Sequence, residues 1–128
     1  MNHKVIIVDD DPAALFLYAE IIKEFNFTKD LTTFKNAQKA LDFLQHIQDK
    51  EKRIILLDLN MPMMSGWDFL DHIKDYPSKN FLSIFILTSS VNSADKDRSK
   101  TYTYVADFFE KPLTEDHIKI IKEKINKS

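Results

Sequence analysis

Carboxylates collect where apolar runs end in this chain. The stretch VIIVDDDP, Val5 to Pro12, sets Asp9, Asp10 and Asp11 directly after four apolar residues, and IILLD brings a second run to Asp58. A third run, IFILTSS, leads into Thr88 and Ser89, and FFEKP presents Lys111 before Pro112. Adjacent carboxylates repel one another, so their clustering calls for an offsetting charge. Carboxylates together with backbone carbonyls make a hard-oxygen set suited to Mg²⁺, which takes octahedral oxygen ligands and keeps several waters. A carboxylate can also act as a nucleophile on phosphorus and form an aspartyl phosphate. Such a transfer needs mainly positioning and charge neutralisation, which a divalent cation, a lysine and a hydroxyl supply.

Each of these residues alone has an ordinary structural role. An Asp at a strand end is usually a cap or a solvated loop residue. Asp11, followed by Pro12 at a first helical position, is expected to be such an N-cap. A Thr after an apolar run is commonly a turn residue, and a Lys before Pro is commonly exposed. The functional reading rests on their joint placement, which depends on the elements that carry them.

VIIV (Val5–Val8), IILL (Ile54–Leu57) and IFIL (Ile84–Leu87) are short, rich in β-branched residues and not alternating. That pattern predicts strands buried on both faces of a parallel sheet. LTTF (Leu31–Phe34) and YVADFF (Tyr104–Phe109) are weaker strand candidates. Helical spacing appears between them: Leu15, Tyr18, Ile22 and Phe25, then Ala37, Ala40, Leu41, Leu44 and Ile47, then Phe69, Leu70 and Ile73 from about Gly66 to before Pro77. A very polar fourth segment begins at Ser93. Thr114 is the expected cap of a fifth helix with Ile118, Ile121 and Ile125 on one face. Glu115 and Asp116 in its first turn and Lys122, Lys124 and Lys127 near its end complement the helix dipole. The order is (βα)₅, which predicts a doubly wound α/β fold with a five-stranded parallel sheet. Sites in such sheets form beyond the carboxyl ends of the strands, where Asp9, Asp10, Asp58, Thr88 and Lys111 all fall.

The 128 residues suit one domain, with 44% hydrophobic and 30% charged residues as in an ordinary globular chain. The net charge of −2 offers no basic field for nucleic acid or an anionic membrane surface. The absence of cysteine excludes disulfides, zinc thiolates and a thiol nucleophile. The N-terminus lacks the pattern of a signal peptide and no apolar stretch is long enough to span a bilayer, so the expected compartment is the cytoplasm. Without an export signal, the sequon Asn26-Phe27-Thr28 is read as coincidence.

The blocks VIIVDDDP, IILLDLNMPMMSGWDFL, IFILTSS and FFEKPL, in this order, resemble the signature blocks of the response-regulator receiver domain of two-component signalling. The resemblance covers the chain from about Lys4 to the last helix. It implies a flavodoxin-like, CheY-like sheet in the order 2-1-3-4-5. It also implies that Asp58 is the phosphoacceptor, Asp10 a direct ligand of Mg²⁺ (or Mn²⁺), and Asp9 an acid reaching the metal through water. Asn60 would contribute its backbone carbonyl to the metal, Thr88 its hydroxyl to the phosphoryl group, and Lys111 the paired ammonium. Phe108 would be the switch aromatic, with Phe109 on the opposite face of its strand. The segment before the fifth strand, TYTYVADFF, departs from the family pattern in having no glycine.

The resemblance implies a single stand-alone receiver over residues 1–128 with no output domain, a switch rather than an enzyme. Its partners would be a histidine kinase or phosphotransfer protein and an output protein bound through the fourth helix, fifth strand and fifth helix. The chain would be a monomer or a phosphorylation-dependent dimer. Two other classes are weighed. A haloacid dehalogenase-like phosphatase would need Asp-x-Asp-x-Thr or Val, which Asp9-Asp10-Asp11-Pro12-Ala13 lacks. A pseudo-receiver scaffold is opposed by the full set of acids with Thr88 and Lys111. The polar segment 92–103 would bury little and shift cheaply, which makes it the expected mobile element. Trp67 is expected to pack, and His3, His46, His72 and His117 to lie at the surface or its boundary.

Overall fold

The computed structural model describes residues 3–89 and 91–126. Its elements run β1 (Lys4–Val8), α1 (Pro12–Glu24), β2 (Leu31–Phe34), α2 (Ala37–Gln45), β3 (Arg53–Leu57), α3 (Gly66–Ile73), β4 (Leu82–Thr88), α4 (Ser93–Ser99), β5 (Val105–Glu110) and α5 (Glu115–Asn126). All neighbouring strands pair in parallel, in the order β2-β1-β3-β4-β5. The expected alternation and sheet order are therefore both present.

The two-residue period of the strands divides the core between the faces of the sheet. Ile6, Val8, Ile55, Leu57, Ile84 and Ile86 face α2 and α3 and pack with Leu41, Leu44, Phe69, Leu70 and Ile73. Val5, Ile7, Ile54, Leu56, Phe85 and Leu87 face the other way and pack with Leu15, Tyr18 and Ile22 of α1 and Ile118 and Ile121 of α5. Both faces of the central strands are thus covered, which is why their sequences are continuous apolar runs rather than alternating ones.

Side-chain caps set where the helices start. Asp11 accepts from the Ala13 N–H at 3.0 Å with Pro12 at the head of α1, as expected. Asn36 caps α2, and Asn92 caps α4. Ser65 and Asp68 form a reciprocal capping box at α3. At α5 the Thr114 hydroxyl accepts from the His117 N–H at 3.3 Å, and the Thr114 N–H donates to His117 Nδ1 at 3.1 Å. Helix ends fall earlier than apolar spacing alone predicts. Phe25 caps α1 rather than belonging to it, and Ile47 lies beyond α2 while still packing on the core. A 3₁₀ turn, Pro77–Phe81, intervenes before β4. Lys127 lies outside the described residues.

Two features bear on the carboxyl edge. The β4–β5 register shifts between Ile84 and Phe85, which pair with Val105 and Asp107, so one extra residue bulges in β5. Tyr104, just ahead of it, is buried among the α3-side core rather than being the first strand residue. Gly66, the chain's single glycine, opens α3 with its N–H donating to the Leu59 carbonyl at 2.9 Å. A Cβ there would lie 2.5 Å from the Asp58 carbonyl oxygen and 2.8 Å from Leu59 Cα. Backbone on that side cannot swing away as a side chain could. Gly66→Ala gains up to about 1 kcal/mol of helix propensity but incurs an overpacking cost of about 1–3 kcal/mol or more. The expected net result is destabilisation, read as a lower urea midpoint with an unchanged m-value.

Candidate functional site

The sheet ladder itself assembles the site, continuing one residue past each strand. The Asp9 N–H donates to the Phe34 carbonyl at 3.1 Å, the Asp58 N–H to the Val8 carbonyl at 3.0 Å, and the Lys111 N–H to the Thr88 carbonyl at 2.8 Å. Asp9, Asp58 and Thr88 are consequently buried, at 2%, 4% and 0% exposure, while Asp10 is exposed. Residues from four segments separated in sequence thus meet at one edge.

Lys111 Nζ sits 2.8 Å from Asp9 Oδ2 and 3.4 Å from Asp58 Oδ2. The second oxygen of each acid is held by backbone. Asp9 Oδ1 accepts from the Asp11 N–H at 2.9 Å, and Asp58 Oδ1 from the Asn60 N–H at 3.3 Å. The Asn60 amide Nδ2 donates to Thr88 Oγ1 at 3.4 Å. Both carboxylates therefore have fixed orientations before any ligand arrives.

The charges at this edge are unequal. Burial pushes the Asp58 carboxyl above the ordinary range, the nearby Asp9 charge adds to this, and Lys111 and the Asn60 N–H only partly oppose it. Burial alone would lower the Lys111 ammonium, but its hydrogen bond to Asp9 and the charges of Asp58 and Asp9 outweigh that and hold it raised. Asp58 is therefore harder to ionise than an ordinary carboxyl.

Asp9, Asp10 and Asp58 each offer one carboxylate oxygen, and these atoms lie within 4.8 Å of one another. An all-oxygen donor set, with Asp10 open to water, fits Mg²⁺ or Mn²⁺ rather than a metal that seeks thiolate or imidazole. The four histidines stand apart from this group. His117 stacks on Phe109 at 4.4 Å.

Phe108 and Phe109 occupy opposite faces of β5, as strand geometry requires. Phe109 is buried on Phe85 at 5.9 Å. Phe108 is half-buried and lines a cleft of about 270 Å³ with Ser99, Val105, Asp107 and Lys124. All of the expected site residues except Phe108 stand within the hydrogen-bonded cluster at the sheet edge or beside it. Phe108 lies farther along β5 and pairs with Ile86 rather than with Thr88.

Two contributors were not foreseen. The side chain of Asn60, expected to matter through its backbone, also tethers the Thr88 hydroxyl. Nothing in its sequence context signals that. Gly66 abuts the Asp58 backbone, and here a signal existed: a lone glycine at a helix start soon after a strand-end acid.

The raised Asp58 carboxyl has a stability consequence. Its folded form binds a proton more tightly than its unfolded form, so its contribution is present at acid pH and is lost as pH rises through its folded pKa. At neutral pH without metal, Asp58→Asn is expected to raise the thermal midpoint by a few degrees, since the Lys111–Asp9 pair survives the change. Mg²⁺ should raise the wild-type midpoint and leave that of Asp58→Asn nearly unmoved. Differential scanning calorimetry with EDTA and with Mg²⁺ checks both.

Comparison with known proteins agrees with this sheet and its topology. The family model described as response regulator receiver domain matches residues 5–122. The chain is 26% identical over 125 residues to the probable methanogenesis regulatory protein FilR2 of Methanothrix harundinacea, covering 94% of this chain and 79% of that protein. It is 30% identical over 95 residues to the response regulator Rcp1 of Synechocystis, covering 71% of this chain and 65% of that one. A crystal structure of a two-component response regulator from Cytophaga hutchinsonii superposes with a TM-score of 0.89 at 26% identity, covering 99% of this chain and 98% of that one. With the family model matched over nearly its whole length and the sheet in the same order, this chain belongs to the response regulator receiver domain family of two-component signalling.

Proposed function

We propose that this receiver accepts a phosphoryl group on Asp58 from a phosphohistidine of a histidine kinase or phosphotransfer protein, with Mg²⁺ bound, and thereby switches a protein-binding face. The observation that carries the reading is the buried Asp58 carboxylate, with an ammonium 3.4 Å away and two further acids able to share a cation with it. That is a nucleophile with part of the charge neutralisation already in place.

In the transfer an Asp58 carboxylate oxygen forms a bond to phosphorus as the donor's P–N bond breaks. The electron pair of that bond stays on the imidazole nitrogen. Asp10, Asp58, the Asn60 carbonyl and, through water, Asp9 would hold Mg²⁺, which neutralises the phosphoryl oxygens; Mn²⁺ suits the same donors. Lys111 pairs with the phosphoryl group from the side of Asp9. The Thr88 hydroxyl turns towards the new oxygens, and Phe108 follows inward beside α4. The face formed by α4, β5 and α5 then meets its output partner. The role is that of a signalling switch, as a monomer or as a dimer formed on phosphorylation. No described helix is long and apolar enough to cross a membrane.

Acetyl phosphate and Mg²⁺ should place one phosphoryl adduct on the wild-type chain by intact mass, and none on Asp58→Asn or in EDTA. An unmodified wild-type mass with Mg²⁺ would overturn the reading. Asp9→Asn removes a supporting acid and the nearer of the two acidic partners of Lys111. It should weaken Mg²⁺ binding by about 10–100-fold, measured by Trp67 emission or calorimetry.

A further inference from the structure

Helix α4 is short and polar, and Ser99 is its one buried residue. Its own apolar contacts cannot hold it. Beyond its packing on β5, a cluster of side chains links it to α3. The Arg98 guanidinium lies 4.3 Å from the centre of the Trp67 ring. Tyr102, just past the helix, also stacks on that indole, with centroids 6.1 Å apart and planes 24° from parallel. The Tyr102 hydroxyl donates to Asp71 Oδ1 at 2.7 Å, and Arg98 reaches Asp71 Oδ2 at 3.9 Å. Lys74 closes the group, 3.3 Å from Asp71 and 5.1 Å from the Tyr102 ring centre. Farther along, the Tyr104 hydroxyl donates to the Leu70 carbonyl. Apart from the Lys74–Asp71 pair, which lies within α3 and its cap, these contacts join α3 or its C-terminal cap to α4 or the turn behind it.

The other end of α3 touches the acceptor. Gly66 leaves no room for a Cβ against the Asp58 carbonyl, and Trp67 is the next residue. A shift of the Asp58 backbone therefore displaces the first turn of α3, and the indole with it. A flat cation–π stack is sensitive to such displacement, because its energy depends on the cation lying over the ring face. The helix at the far end buries only Ser99 and otherwise rests on β5.

We propose that the Trp67–Arg98 stack, braced by Asp71 and Tyr102, is a latch through which the state of Asp58 releases α4 by way of α3. This device rests on the phosphoacceptor reading of Asp58. It is separate from the Thr88–Phe108 movement, since it runs through the helix that follows β3 rather than along β4 and β5. Phosphorylation tilts the first turn of α3, the stack loosens, and α4 becomes free to move. It also revises the expectation that the polar segment shifts cheaply: the segment buries little, yet a specific set of contacts must open before it moves.

The test treats the 128-residue wild-type chain, Arg98→Gln and Arg98→Lys with Mg²⁺, before and after acetyl phosphate. It measures the adduct by intact mass, amide exchange over residues 93–102, and emission from Trp67, the only tryptophan. Arg98 is about half exposed, so both variants are expected to fold. In wild type, phosphorylation should speed exchange over 93–102 about fivefold, in line with loss of a cation–π contact, and change Trp67 emission. In Arg98→Gln, exchange should already be fast without acetyl phosphate, and phosphorylation should add little at equal adduct levels. Arg98→Lys keeps the charge but not the flat stack, and should behave as Arg98→Gln. A full adduct with the same phosphorylation-dependent increment in wild type and Arg98→Gln would overturn the latch and leave the phosphoacceptor reading standing. Absence of any adduct on wild type would overturn both.

Discussion

Lys111 Nζ lies between two nearly buried carboxylates, 2.8 Å from Asp9 and 3.4 Å from Asp58. Without that ammonium the sheet would bring two like charges together out of water, and neither could ionise cheaply. The lysine can be there because its own N–H continues the β4–β5 ladder to the Thr88 carbonyl. The backbone that closes the sheet thus also delivers the compensating charge. Compensation is partial, since Asp58 is still raised. The remaining imbalance at this edge is what a divalent cation sharing Asp9, Asp10 and Asp58 would relieve.

The three adjacent acids divide their work by burial and by partner. Asp9 is enclosed, with one oxygen on Lys111 and the other on the Asp11 N–H. Asp10 faces water and has the freedom to take a hydrated ion. Asp11 caps α1 through the Ala13 N–H and belongs to the fold more than to the site. Local repulsion is tolerated because each acid faces a different surrounding: an ammonium, solvent, or the positive end of a helix.

Around this edge the molecule is stiff on one side and loosely held on the other. β1, β3 and β4 are packed on both faces, and Gly66 brings α3 against the Asp58 backbone with no spare room. Helix α4 buries only Ser99, packs on β5 and is linked to α3 through Arg98 and the Tyr102 behind it. On the proposed switching, a charge change at this centre would be expressed where contacts are fewest and most directional. The aromatic and cationic residues between α3 and α4 (Trp67, Tyr102, Arg98, Lys74) mark that boundary.

Sequence by itself determined the alternation of strands and helices, the two-sided burial of VIIV, IILL and IFIL, and the appearance of Asp9, Asp10, Asp58, Thr88 and Lys111 at the ends of those runs. These follow from short-range patterning: apolar runs, caps such as Asp11 and Thr114, and the two-residue period that parts Phe108 from Phe109. Helix ends were less legible, as Phe25 and Ile47 show, because apolar spacing continues past the point where backbone hydrogen bonding stops. Tertiary structure alone decided which atoms meet. Lys111 comes to lie on Asp9 as well as Asp58, the Asn60 amide reaches the Thr88 hydroxyl, and Arg98 settles over Trp67. Those pairings join residues far apart in the chain, and their geometry depends on strand order, register and the β5 bulge, which no local pattern specifies.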